Sequence, residues 1–173
     1  MKKVMIISAI VLMIFIGYVY LIFNPIFIGV KKTNSFQDSH WSNNLYNPLK
    51  DIEFTCGNNK IIIYFDRYDV SCLPIGIKQW TLLSCTDNTV IQQIKEHFEF
   101  EWNGEDYFET TDGNSKIYFF KDNKVVFHSL FHFEGNLSIK FPETGWIFTT
   151  KYDVLKENFS KFKPLYNPIV IMR

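Results

Sequence analysis

Hydrophobic positions are concentrated in one uninterrupted run at the start of the chain. Residues 4–23 contain no charged side chain, and Lys2 and Lys3 precede them. Twenty helical residues extend for about 30 Å, which matches the hydrocarbon core of a lipid bilayer. No polar stripe interrupts the run, whereas a helix on the surface of a soluble domain would have one. We therefore predict a single transmembrane helix that contacts the bilayer through residues 4–23.

The apolar run resumes after Pro25 and ends at Val30, so we expect the helix to tilt, or to kink near Pro25, and assign residues 1–30 to the anchor. A cleaved signal peptide would have a shorter apolar core followed by small residues two positions apart. Neither Gly17 nor Gly29 has a small residue two positions before it. This pattern favours an uncleaved signal-anchor over a cleaved signal peptide.

The charges beside the run bear on its orientation, because positively charged flanks tend to stay in the cytoplasm. Lys2 and Lys3 lie on one side, and Lys31 and Lys32 nearly balance them on the other. A short basic N-terminal tail usually remains inside, and the Lys-, Asn-, Ile- and Phe-rich composition is typical of AT-rich bacterial genomes. We expect a single-pass protein of the bacterial inner membrane, with its C-terminal domain in the periplasm or outside the cell.

The rest of the chain alternates between turn residues and short apolar runs. Residues 31–50 are polar and rich in turn formers, so we interpret them as a tether to a domain over residues 51–173. In that domain, β-branched and aromatic runs recur between Gly, Asn, Asp and Pro, a pattern typical of strands. The predicted strands cover 52–56, 60–66, 70–73, 78–85, 99–102, 107–111, 115–121, 124–133, 137–141 and 145–150. Gly57-Asn58-Asn59 and Asp122-Asn123 have the composition of tight hairpin turns.

Two segments of the domain have helical rather than alternating spacing. One covers residues 88–98 with Asp87 or Thr89 as its N-cap, and the other covers residues 152–162 before Pro164. The predicted fold class is α+β. It consists of an N-terminal single transmembrane helix and one domain with a largely antiparallel meander sheet and two short helices.

The strands at 60–66 and 115–121 are apolar on both faces, which is typical of strands that are buried on both sides. Two short helices can cover only one face of such a sheet. The other face must then be covered by the curvature of the sheet itself or by a partner.

The composition excludes two broad classes of protein. The chain has 173 residues, with 18 basic and 18 acidic side chains, and this balance argues against a nucleic-acid partner. Hydrophobic residues make up 47% and charged residues 21%, which argues against intrinsic disorder. The segment after the anchor is long enough to bury a core of its own.

No motif for a metal, a cofactor or a nucleophile stands out. Cys56, Cys72 and Cys85 lack CxxC spacing, and the sequence leaves open whether they are free thiols or include one disulfide. His128 and His132 would be about 13 Å apart on a strand, too far for one metal ion. The chain has no glycine-rich phosphate loop and no GxSxG nucleophile elbow. We therefore predict no metal, no small-molecule cofactor and no catalytic residue.

One segment has a distinctive charge pattern. Between Glu96 and Asp112 there are seven acidic residues and no Lys or Arg, with aromatic residues interleaved. Such a surface attracts a basic partner, and its aromatic side chains can serve as anchors. The residues predicted to bind a protein partner are Glu99, Glu101, Trp102, Glu105, Asp106, Tyr107, Phe108 and Glu109. A solvated hairpin with nothing bound is the simpler interpretation of the same pattern.

An anchored domain with an acidic, aromatic surface is suited to binding a protein beside the membrane. The arrangement is similar to that of some bacterial immunity proteins that protect the cell envelope from toxins, a resemblance of architecture that carries no residue over. Our leading hypothesis is a membrane-anchored extracytoplasmic binding protein, not an enzyme, that blocks an envelope-directed toxin or enzyme. One alternative is an accessory subunit of a membrane protein complex. Another is an envelope hydrolase that uses paired carboxylates.

Overall fold

The computed structural model describes residues 2–29, 41–42, 44–66, 82–102, 115–133, 136–141 and 145–171. The helices are α1 (Lys2–Phe23), α2 (Asn88–His97) and α3 (Tyr152–Phe159). The strands are β1 (Ile26–Ile28), β2 (Trp41–Ser42), β3 (Leu45–Tyr46), β4 (Asn59–Tyr64), β5 (Leu82–Cys85), β6 (Phe100–Glu101), β7 (Lys116–Lys121), β8 (Lys124–His132), β9 (Ser138–Phe141), β10 (Gly145–Thr149), β11 (Lys163–Pro164) and β12 (Ile169–Ile171). The predicted strands at 70–73 and 107–111 lie outside the described residues.

Helix α1 is the element that the apolar N-terminal run predicts. Its 22 residues extend for about 33 Å. Within the described chain it is the one helix that is long and apolar enough to cross a membrane, and the rest of the protein does not bury it. The helix ends before Pro25, because a proline disfavours helical backbone at the residue that precedes it. The backbone N–H and the side-chain amide of Asn24 both donate to the Tyr20 carbonyl, at 3.0 and 3.1 Å. The expected kink is therefore replaced by a helix end, and residues 26–28 form β1.

The domain is built on one large antiparallel sheet. Its ten strands follow the order β11-β5-β4-β7-β8-β9-β10-β6-β3-β2. Every neighbouring pair in that order is antiparallel. Strands β7 to β10 form a meander, whereas β4 and β6 join the sheet through longer connections. The predicted α+β fold, with an N-terminal apolar helix and an antiparallel sheet, is confirmed.

The turn between β7 and β8 is the tight hairpin that the sequence predicts. Asp122 and Asn123 both have positive φ angles, 51° and 64°, as a type I′ turn requires. The Asp122 carboxylate accepts from the Asn58 N–H at 3.0 Å, and the Asp122 N–H donates to the Asn58 carbonyl at 2.9 Å. The turn therefore also holds the loop that precedes β4.

The predicted strand at 52–56 is wrong. Strand β4 has β5 on one side and β7 on the other, so neither of its edges is left for a hairpin partner. The preceding residues form a loop, and the Asn59 side chain donates to the carbonyls of Phe54 and Cys56 at 2.8 and 3.2 Å. Phe54 is fully buried. This apolar side chain thus packs in the core although its backbone belongs to a loop.

The described residues between 41 and 50 belong to the domain rather than to a tether. Strand β3 pairs with β2 on one side and with β6 on the other. Tyr46 and Leu49 are buried in the core. The Asn47 side chain donates to the Lys95 carbonyl at 3.2 Å and accepts from the Leu49 N–H at 2.9 Å. A few apolar side chains fix this segment, although its overall composition is polar.

Helices α2 and α3 pack on one face of the sheet. Asp87 caps α2 as predicted, because its carboxylate accepts from the N–H groups of Thr89 and Val90 at 2.8 and 3.4 Å. Helix α3 ends at Phe159, earlier than predicted, and Pro164 then lies in the edge strand β11, where a missing N–H is tolerated. The core beneath the helices is rich in aromatic side chains, including Phe54, Phe98, Phe119, Phe127, Phe133 and Phe159.

The opposite face of the sheet is covered over β5, β4 and β7 by a parallel two-stranded ribbon of β1 and β12, called the ribbon below. The Phe27 ring stacks on Tyr118 with centroids 5.6 Å apart and meets Tyr64 edge-on at 5.5 Å. The residues buried between the sheet and the ribbon are Ile62, Leu82, Tyr118 and Phe120 of the sheet and Val170 of the ribbon. Sheet curvature or a partner was the cover expected from the sequence, whereas over these strands the chain supplies its own.

The tyrosines under the ribbon make the stability of the domain sensitive to alkaline pH. Burial raises the pKa of Tyr118 to about 12. Burial, and secondarily the charge of Asp66, also raises the pKa of Tyr64. The unfolded chain ionises its tyrosines near the ordinary value of 10.0. The stabilisation from a neutral Tyr118 is therefore complete below pH 10 and is lost as the pH rises towards 12.

We predict that the Tyr118→Phe variant loses less stability between pH 10 and pH 12 than the natural chain, by about 1–2 kcal/mol. The variant keeps the ring that stacks on Phe27 and removes only the ionisable hydroxyl. Denaturant unfolding of the detergent-solubilised chain at several pH values measures the difference. Identical losses in both proteins would show that Tyr118 is not shielded from water.

Candidate functional site

The acidic segment begins on helix α2 and continues into strand β6. Glu96 is exposed in the last turn of α2, where its carboxylate accepts from the Gln92 side-chain amide at 3.1 Å. Glu99 is half-buried between the helix and the strand, and Glu101 is exposed on β6. The other predicted partner-binding residues, Glu105, Asp106, Tyr107, Phe108 and Glu109, lie outside the described residues.

Strand β6 determines which way the described acidic residues face. It lies between β3 and β10, and its Phe100 is fully buried in the core beneath the helices. Successive side chains of a strand point to opposite faces of the sheet. Glu101 therefore points away from the helices, to the face where it is exposed.

Trp102 lies on the core side, apart from Glu101. Its side chain is half-buried and packs against the core cluster, and its backbone N–H donates to the Asn44 carbonyl at 3.4 Å. The indole Nε1–H is buried and has no hydrogen-bond partner within the described chain. The acidic residue and the tryptophan, which the sequence placed on one surface, are thus separated by the sheet.

Other aromatic residues take the place beside Glu101. In the sheet register, Glu101 lies opposite Leu45 of β3 and Phe148 of β10. Phe148 in turn lies opposite Ser138, and Ser138 lies opposite His132 of β8. These pairs form one row across the face that the helices leave uncovered.

The neighbouring row completes a mixed surface. Trp146 of β10 lies opposite Lys140 of β9, and its ring contacts that of His132 with centroids 6.4 Å apart. Lys140 is exposed, Phe148 and His132 are half-buried, and Trp146 is buried. We call this surface the outer patch, and its members are Glu101, His132, Lys140, Trp146 and Phe148.

The sequence of strand β10 contained a pattern that indicates the outer patch. In strand β10, Trp146 and Phe148 alternate with Ile147, which is buried in the core beneath the helices. Trp146 and Phe148 therefore stand together on the face of the strand that points away from this core. The density of acidic residues favoured residues 96–112 as the binding surface. The register neighbours of Glu101, however, come from β3 and β10.

The described outer patch combines one carboxylate with aromatic and apolar neighbours. Glu101 has apolar side chains opposite it on both neighbouring strands, so no second carboxylate faces it in the register. Within the described residues, no group of three or more His, Cys, Asp or Glu side chains could hold a metal ion. An exposed carboxylate beside an aromatic ring can pair with a cation of a partner whose aliphatic stem covers the ring.

The cysteines and histidines are dispersed in the described structure. Cys56 is an exposed free thiol and Cys85 is a buried one, whereas Cys72 lies outside the described residues. Burial raises the pKa of the Cys85 thiol, which keeps it protonated and a poor nucleophile. His128 and His132 lie on strand β8, as predicted, and the His128 ring stacks on Tyr118 at 5.8 Å.

The chain was compared with protein-family models, with curated proteins and with solved structures, and no match was found in any of the three.

The positions of Trp102 and Glu101 predict effects of substitution on stability that differ in size. We expect Trp102→Ala to lower the free energy of unfolding by about 2–3 kcal/mol, because a half-buried ring leaves the core. Glu101→Gln should change it by less than about 0.5 kcal/mol, because the carboxylate is exposed. Chemical unfolding of the two variants measures both values.

Trp102→Phe serves as the matched control for this pair. It keeps an aromatic ring in place and removes the buried N–H that lacks a partner, so its loss of stability should be smaller than that of Trp102→Ala. If Trp102→Ala were as stable as Glu101→Gln, Trp102 would be a solvent-facing anchor, as the acidic pattern first suggested.

Proposed function

We propose that this chain is a membrane-anchored extracytoplasmic binding protein that blocks a protein partner, namely an envelope-directed toxin or enzyme. The observation that carries the proposal is the short connection between the apolar helix and the domain. Only Asn24 and Pro25 separate α1 from β1. Three residue steps reach at most about 10 Å, so the domain stays close to the end of the helix. A binding protein held in this way acts on partners that arrive at the membrane surface.

The proposed orientation places Lys2 and Lys3 in the cytoplasm and the domain on the other side of the inner membrane. The basis is the preference of short basic tails for the inside. We predict that a reporter active only in the periplasm is active when fused to the C-terminus of the full chain in a Gram-negative host. A cytoplasm-specific reporter at the same position should be inactive. The reverse pattern, in membrane-bound and intact fusions, would invert the proposed topology.

Charge and aromatic surface support a basic protein as the partner. Glu101 is exposed beside Phe148, and the acidic segment to which Glu101 belongs has no Lys or Arg between residues 96 and 112. Long-range attraction between such a segment and a basic protein raises the rate of encounter and is screened by salt over about 8 Å at physiological ionic strength. Apolar contacts with Phe148 act only at short range and affect dissociation.

The test compares two pairs of charge neutralisations in the full chain. Glu99→Gln with Glu101→Gln removes two charges from the acidic segment, and Asp153→Asn with Glu157→Gln removes two exposed charges from α3. A partner is first captured from detergent extracts of cross-linked membranes and purified. We predict that the first pair slows association with this partner severalfold at low salt and flattens its salt dependence, as a loss of electrostatic steering does.

The α3 pair is matched in charge and should leave the association rate unchanged. A partner that lacks a basic surface would contradict the proposal. Equal slowing by both pairs would show that only the net charge of the domain matters, and it would remove the acidic segment from the binding surface.

A further inference from the structure

One face of the ribbon packs on the sheet and the other is exposed. Phe27 and Val170 point to the sheet, where Phe27 stacks on Tyr118 and Val170 is buried. The four side chains that alternate with them point away, and we call them the isoleucine face. They are Ile26, Ile28, Ile169 and Ile171, with 47, 49, 47 and 56% of their surface exposed. The register places Ile26 beside Ile169 and Ile28 beside Ile171, so the four form one continuous apolar surface.

This surface does not have the composition of a strand pair that faces water. Parallel strands are nearly always covered on both faces, and the described residues cover only one face of the ribbon. A half-exposed strand normally alternates apolar residues with polar ones. Here every outward position of both strands is isoleucine. The isoleucine face is therefore suited to an apolar or interfacial environment.

The short link between α1 and β1 indicates which environment lies nearest to the isoleucine face. Ile26 follows the last residue of α1 by three positions, so it lies within about 10 Å of the helix end. The Ile26 N–H donates to the Pro168 carbonyl at 2.9 Å, which brings β12 to the same level. Tyr20 near the end of α1 and Tyr166 before β12 are both exposed, and amphipathic rings of this kind favour the boundary between hydrocarbon and headgroups.

We propose that the isoleucine face rests in the interfacial layer of the lipid bilayer, as a second and non-covalent membrane contact of the domain. The inference rests on the proposed membrane anchor and adds a fixed orientation of the domain on the membrane. Interfacial elements bury their apolar side about 5–10 Å into the boundary of headgroups and acyl chains, a depth that the side chains of a two-stranded ribbon can reach. Lipid is the occupant because the helix end, where this boundary lies, is adjacent in the chain.

The test measures contact with lipid at single positions of the full chain. Ile169→Cys and Ile171→Cys are prepared separately, with Cys56 and Cys72 replaced by Ser, and each is labelled with an environment-sensitive fluorophore. The buried Cys85 is retained. Glu157→Cys, exposed on α3 at the opposite face of the sheet, is the matched control, and Ile14→Cys in the middle of α1 reports the anchor itself. The proteins are reconstituted in phosphatidylcholine–phosphatidylglycerol vesicles that contain nitroxide-labelled lipid.

We expect the fluorophores at positions 169 and 171 to lose fluorescence to a nitroxide near the headgroups, whereas position 157 keeps its fluorescence. Position 14 should be quenched by a nitroxide deep in the acyl chains. Quenching at 14 without quenching at 169 and 171 would overturn the inference and leave the anchor intact. The absence of quenching at positions 14, 169 and 171 would overturn the anchor and the inference together.

A third result would also contradict the inference. Shielding of positions 169 and 171 from water without quenching by lipid would mean that protein covers the isoleucine face, which in these vesicles is a second copy of the chain. Unchanged circular dichroism of each labelled protein establishes that the fold is kept, and the two positions on β12 provide independent readings.

Discussion

The contact between Phe27 and the sheet determines how the rest of the structure is arranged. Phe27 lies in β1, directly after the apolar helix, and its ring packs on Tyr64 of β4 and Tyr118 of β7. These two strands are paired with each other within the large sheet. The contact therefore fixes the end of the helix to the sheet. It also positions β12, which pairs with β1.

The ribbon meets a requirement that the sheet itself creates. Strands β4 and β7 carry apolar side chains on both faces, and helices α2 and α3 cover only one of them. Without the ribbon, side chains such as Ile62 and Phe120 would face water, at a cost of roughly 25 cal/mol per Å² of apolar surface. The domain is thus stabilised by β1 and β12, the same segments that hold it near the helix. The outer patch lies on the same face of the sheet, beyond the strands that the ribbon covers.

Local patterns in the sequence predicted the elements whose stability is local. The uncharged run gave α1, the Asp87 cap gave α2, and the Asp122-Asn123 turn gave the β7–β8 hairpin. Long-range pairing could not be predicted in the same way. Strands β1 and β12 are more than 140 positions apart, each has three residues, and their isoleucines fit a membrane helix as well as a strand. The 52–56 segment had the composition of a strand, but both edges of β4 were already occupied.

In the candidate site too, local structure was predictable from the sequence and long-range contacts were not. The sequence correctly predicted that Glu101 lies in a strand. It could not show that Trp102 packs on the core or that Phe148 stands opposite Glu101. Those relations depend on the register of β6 against β3 and β10, strands that are separated from it along the chain. The acidic residues that lie outside the described part of the chain keep the status of a prediction.

The central claim is that β1 and β12 pair in parallel and hold the domain at the end of the helix. Oxidative cross-linking of the full chain, with Cys56 and Cys72 replaced by Ser, tests it most directly. Ile26→Cys with Ile169→Cys joins residues that lie opposite each other in the register, where neighbouring strands are about 4.8 Å apart and within reach of a disulfide. Ile26→Cys with Ile171→Cys is offset by two residues, about 8 Å, and lies beyond that reach. We expect rapid disulfide formation in the first variant and little in the second. Equal rates in the two variants, or no disulfide in either, would contradict it.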